Sequence, residues 1–193
     1  MTQTAANVLA GSPLVTGGIL AAPKGTALPT DETTTLNAAF KALGYASEDG
    51  LAPSGDASSL KDIVAWGQDI VASLTDTKSV TRFKFTLIEA LNPDVAKFIY
   101  GAGNVTVTAA VSGTSGTKLA ILDKGADPDI QAFAFEMRYQ GKKARIIVPL
   151  GRPNITAELA WADSDVTGYE VELTCLPDSS GNRTYRYYAN DDF

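Results

Sequence analysis

Between Gln131 and Tyr139 every second residue is large and apolar: Phe133, Phe135, Met137 and Tyr139 alternate with Ala132, Ala134, Glu136 and Arg138. A repeat of two is that of a β-strand, whose successive side chains point to opposite faces. The alternation returns at Ile155, Ala157, Leu159 and Trp161 against Thr156 and Glu158, and again at Tyr169, Val171, Leu173 and Cys175 against Glu170, Glu172 and Thr174. Gly141-Lys142 marks a turn into a further strand over residues 144–150, and Ser180-Gly181-Asn182 a turn into a last one near 184–188. Short strands at such regular spacing predict a mainly β fold, an antiparallel β-sandwich or barrel.

The first half of the chain is less regular. Residues 1–30 are rich in Ala, Gly, Thr and Pro and carry Leu9, Leu14, Val15, Ile19 and Leu20 without helical or strand periodicity. They read as an extended assembly arm whose apolar side chains need a neighbouring subunit, with 31–193 as one domain. Residues 31–44 fit either a short helical turn or a strand entry, ended by Gly44, and 47–59 have the Ser, Asp, Gly and Pro density of a loop. Residues 60–74 read as one strand, with Val64, Trp66, Ile70, Ala72 and Leu74 on one side. After a polar turn at 75–79, Phe83, Phe85 and Leu87 alternate with Arg82, Lys84 and Thr86, which predicts one long antiparallel hairpin over 60–88. Asn92-Pro93-Asp94 is a helix start, and Val95, Phe98 and Ile99 recur at helical spacing before Gly101. Short strands are expected near 105–111 and 118–122.

Composition removes most catalytic chemistry. The 193 residues include no His and a single Cys175, so imidazole acid–base work, a Cys–His dyad, an intrachain disulfide and a thiolate metal cage are all excluded. Ser58-x-x-Lys61 and Ser115-x-x-Lys118 match the pattern of penicillin-binding enzymes but do not open helices. Gly101-x-Gly103 leads into a strand, where a phosphate cradle requires a helix. Acids at 123–129 and 163–165 lack the spacing of a calcium loop, and the outward Glu residues of the strands form no distinguishable pair for glycoside hydrolysis. The reading is no enzyme, no cofactor and no metal. A net charge of −6 disfavours gripping a nucleic acid, and no apolar run is long enough to span a bilayer as a helix. The N-terminus lacks the layout of a signal peptide, which predicts that the chain works where it is made.

Three stretches, taken in order, carry a resemblance: Gly25-Thr-Ala-Leu-Pro-Thr30, Gly44-Tyr-Ala-Ser-Glu-Asp-Gly50 and Thr86-Leu-Ile-Glu-Ala-Leu-Asn92. The sequence resembles the major tail proteins, or tail-tube proteins, of long-tailed phages, those infecting actinobacteria in particular, from about residue 10 to the C-terminal strands. The resemblance implies a structural subunit of the virion tail, assembled in the host cytoplasm, that forms homohexameric rings stacked into a tube. Genomic DNA would pass through the lumen without sticking, and tape-measure, tail-terminator and tail-tip proteins would be its partners. In that frame Glu48, Asp49, Gly50 and Asp56 are candidate ring-stacking residues, and Glu136 and Glu158 candidate lumen-facing acids. A carbohydrate-binding β-sandwich is the alternative, with Tyr185, Tyr187 and Tyr188 as its aromatic cluster; a small hydrolase would need an acid–base pair that the sequence does not offer.

Overall fold

The computed structural model describes residues 8–9, 11–14, 17–67, 69–77, 79–125, 128–156 and 166–190. In chain order the elements are β1 (Ile19–Pro23), β2 (Lys41–Ala42), β3 (Ala52–Pro53), β4 (Ser59–Val64), β5 (Ile70–Thr77), β6 (Arg82–Leu87), α1 (Pro93–Tyr100), β7 (Val105–Thr108), β8 (Lys118–Ile121), β9 (Gln131–Tyr139), β10 (Lys142–Ile155), β11 (Tyr169–Leu176) and β12 (Tyr185–Asn190).

The long strand β10 organises the rest. Its first half pairs with β9 on one side and β12 on the other, and its second half pairs with β11, from Leu150↔Leu176 to Ile155↔Val171. The antiparallel order is β2-β1-β9-β10-β11-β6-β3, with β12 beside the start of β10. The β9–β10 register shifts between Val148 and Gly151, where the strand changes partners. A Cβ on Gly151 would lie 2.7 Å from Leu173 Cδ1 and 2.7 Å from the Phe133 ring, so the packing of these two side chains favours glycine at this point.

Strands β9 and β6 stand three places apart in this order, about 14 Å in a flat sheet. Yet the Phe83 and Phe85 rings of β6 lie 5.3 and 6.0 Å from the Phe135 ring of β9. The sheet therefore curls until its halves face each other, the arrangement of a β-sandwich. Phe133, Val148, Val171, Leu173 and Leu87 fill the interior. Helix α1 closes one end with Val95, Phe98 and Ile99, the Phe98 ring 5.8 Å from Phe133. Its start is the one read from sequence: Asn92 Oδ1 accepts from the Asp94 amide at 2.9 Å.

The reading of residues 60–88 needs correction. The run 60–74 is two strands, because Gly67, at φ +73°, turns the chain back after Trp66. Strand β4 pairs with β5, while β6 leaves for β11, so the hairpin over 60–88 does not form. The face of β9 that carries Ala132 and Ala134 is buried too: with Ile147 of β10 they cluster with Phe40, and Leu20, Leu28 and Leu36 pack against them. The segment 28–40 thus covers the back of the sheet, and β2 is its exit rather than a helical turn. Of the strand expected over 155–161, Ile155 is the last residue of β10, and residues 157–165, Glu158 and Trp161 included, lie outside the described residues.

Candidate assembly surfaces

Among the described residues the β4–β5 ribbon forms a sheet of its own, and its described side chains are exposed rather than packed on the core. Residues directly opposite in an antiparallel pair share a face. Leu60, Asp62 and Val64 therefore lie on one face, where Ser73 Oγ donates to Asp62 Oδ1 at 2.7 Å, and Ile63 and Leu74 on the other. Leu60 is 69% exposed and Trp66, at the tip, fully so; Val64, Ile70, Val71 and Leu74 are exposed as well. A lone two-stranded ribbon is marginal in water, and apolar side chains on both of its faces mark a surface built for contact. Among the described residues no further strand pairs with either of its outer edges, and such an edge is open to pairing.

The segment 47–59 lies along the sheet instead of hanging free. The Ser47 amide donates to Thr86 O at 2.9 Å, β3 pairs with β6, and the Ser54 amide donates to Arg82 O at 2.9 Å. Asp56 accepts from Arg82 at 2.6 Å, which raises the pKa of that guanidinium. A Cβ on Gly55 would lie 2.3 Å from Val80 O, so only glycine fits there. Of the four candidate stacking residues, Asp56 is held in the sheet-edge ion pair and Gly50 supplies the φ of +65° that closes the turn from Ser47. Glu48 and Asp49 stand exposed at the tip of that turn.

Glu136 is not an outward acid. Its side chain is 16% exposed and accepts from Arg145 Nε at 2.8 Å. The same guanidinium donates to Asp31 O at 2.8 Å and Thr34 O at 2.7 Å, tying the covering segment to the sheet. Asp31 accepts in turn from the hydroxyls and amides of Thr34 and Thr33, which hold its carboxyl well below the usual range. Glu158, the other lumen candidate, is among the residues not described.

The arm residues separate into groups. Ile19, 5% exposed, and Leu20 begin β1 and are paired with Phe135 and Ala134, so neither waits for a partner. Upstream, the Leu14 amide donates to Glu136 O at 3.1 Å and the Arg138 amide to Ser12 O at 2.8 Å. The edge of β9 beyond Phe135 would otherwise be open, and this segment satisfies it. Leu14 is half-buried, Leu9 and Val8 are exposed, and Lys142 Nζ donates to Val8 O at 2.7 Å; Val15 lies outside the described residues.

The described residues assemble no active site. Among the described residues no three His, Cys, Asp or Glu side chains converge. Burial pushes the Cys175 thiol up to about 12, far from a reactive thiolate. Tyr185, proposed for stacking on sugar, donates its hydroxyl to Asp178 Oδ2 at 2.6 Å and clips the turn before β12. Sequence reasoning missed the β4–β5 ribbon as a unit; the turn chemistry of Trp66-Gly67 was the available signal. The model of the family described as phage tail tube protein matches residues 2–193, and the chain belongs to that family. No curated protein matches it. It is a structural, non-enzymatic component of the virion tail, a subunit of the tail tube that assembles with other tail proteins.

Proposed function

We propose that this subunit forms homohexameric rings that stack into a hollow tube through which genomic DNA passes at infection. The observation that carries the proposal is the β4–β5 ribbon, with apolar residues on both faces and open edges. Neighbouring subunits can extend the ribbon edge to edge and cover its faces, which gives the ring a continuous sheet. The turn at Glu48 and Asp49 meets the adjacent ring, held in place by Asp56 on Arg82. Residues 8–9 and 11–14 are the described part of an assembly arm. The net charge of −6 suits a lumen that must not retain phosphate, and Glu158 is the acid retained for that wall. Tape-measure, terminator and tip proteins meet the finished tube, which is built in the host cytoplasm.

Leu60, Val64 and Trp66 are exposed and take no part in the core, so their changes separate assembly from folding. The triple variant Leu60→Ser, Val64→Ser, Trp66→Ser keeps the monomer's thermal midpoint and loses polymerisation by light scattering. A variant that polymerises as the unaltered chain does would contradict the role given to the ribbon.

A further inference from the structure

A cavity of about 970 Å³ opens at the end of the sheet where β1 finishes and β9 begins. Leu43 and Phe98, both buried, form its apolar floor. Lys24, Lys41, Lys97 and Arg152 stand around it, against the two acids Asp94 and Asp129. In a chain of net charge −6 this is a local reversal of sign. Lys97 leans toward Asp94 at 3.8 Å, but a pair this exposed holds its partners weakly. An apolar floor with a cationic rim suits an aromatic side chain flanked by carboxylates.

The same chain carries that chemistry in Asp191-Asp192-Phe193, which follow β12 and lie outside the described residues. Strand β12 finishes at Asn190, opposite Lys142, and Lys142 faces Tyr139 at the far end of β9. The cavity borders Gln131, at the near end of β9. Eight residue steps along a strand span about 26 Å, whereas three extended residues reach about 10 Å. A chain therefore does not fill its own cavity. Placed at opposite ends of one strand, tail and cavity make a heterologous contact, the kind that propagates when it does not close.

We propose that the cavity receives Asp191, Asp192 and Phe193 of a second copy, in a head-to-tail contact between successive subunits of the tube. The proposal rests on the tube reading and adds to it a defined socket and plug. For the test, Phe193 is replaced in the full chain by its photoreactive benzoyl derivative, which keeps the ring, and assembled protein is irradiated and mapped by mass spectrometry. Adducts to Phe98 or Leu43 of another copy are expected. Their yield falls several-fold in Lys41→Glu, Lys97→Glu and returns when Asp191→Lys and Asp192→Lys are added. Tubes seen by microscopy whose adducts lie elsewhere, or whose yield ignores the charge reversal, overturn the socket and leave the tube intact. A chain that never assembles contradicts the tube reading itself and the socket with it.

Discussion

Arg145 meets Glu136 across the β9–β10 pair, Nε to Oε1 at 2.8 Å, with the two side chains only 9% and 16% exposed. Because Arg145 also donates to the carbonyls of Asp31 and Thr34, one guanidinium joins the sheet to the segment that covers its back. Removing one member of a buried pair strands the other charge. Arg145→Ala is expected to lower unfolding free energy by about 3 kcal/mol, and Arg145→Met with Glu136→Leu to recover much of that loss, both read by urea denaturation. Glu136→Lys places a second cation beside Arg145 and destabilises the fold. Equal stability of Arg145→Ala and the unaltered chain would show that the pair is incidental.

Gly151 sits where β10 changes partners, with Leu173 and Phe133 both within 2.8 Å of any added Cβ. Gly151→Ala should cost about 1–3 kcal/mol through overpacking. Thermal unfolding measures it, and a midpoint unchanged from the parent would mean that the neighbours can move aside.

Alternation made β9, β11 and the fold class legible, since Tyr169, Val171, Leu173 and Cys175 are buried as their spacing requires. The start of α1 was equally plain, because Asn92 and Pro93 act through local chemistry alone. What periodicity conceals is pairing: β5 and β6 are both good strands, and only tertiary packing of Phe83 and Phe85 on Phe135 sends β6 to β11. Glu136 misled for a related reason. Its place in the alternation put it opposite Phe135, but the cover over that face comes from residues 31–34, a hundred positions away and without periodicity. Ile19 and Leu20 were hidden likewise, in a strand whose pairing with β9 leaves little local trace.

Cys175 is buried and its thiol is pushed up to about 12, so it stays protonated at neutral pH. Native protein should not react with a disulfide reagent at pH 8, while denatured protein should release one equivalent of thiol. Rapid labelling of the native chain would contradict the packing of β11.

The Asp178–Tyr185 clip has a definite pH window. Tyr185 donates to Asp178 and holds its carboxyl below the ordinary 3.8, while the same bond raises the phenol above 10.0. A depressed acid contributes stability that is present above its unfolded value and lost as pH falls through its folded one. A raised phenol contributes stability that is present below its unfolded value and lost as pH rises through its folded one. Tyr185→Phe should therefore lower the unfolding midpoint throughout the range between them and flatten its acid limb. An acid limb identical to the parent's would show that the clip does not couple to folding.

The central claim is that an exposed ribbon on a β-sandwich exists to be covered by copies of the same chain. Negative-stain electron microscopy of the purified, concentrated protein tests it most directly. Hollow tubes of constant diameter, built from rings, are the predicted result, and a field of separate monomers at every concentration and salt condition would contradict it.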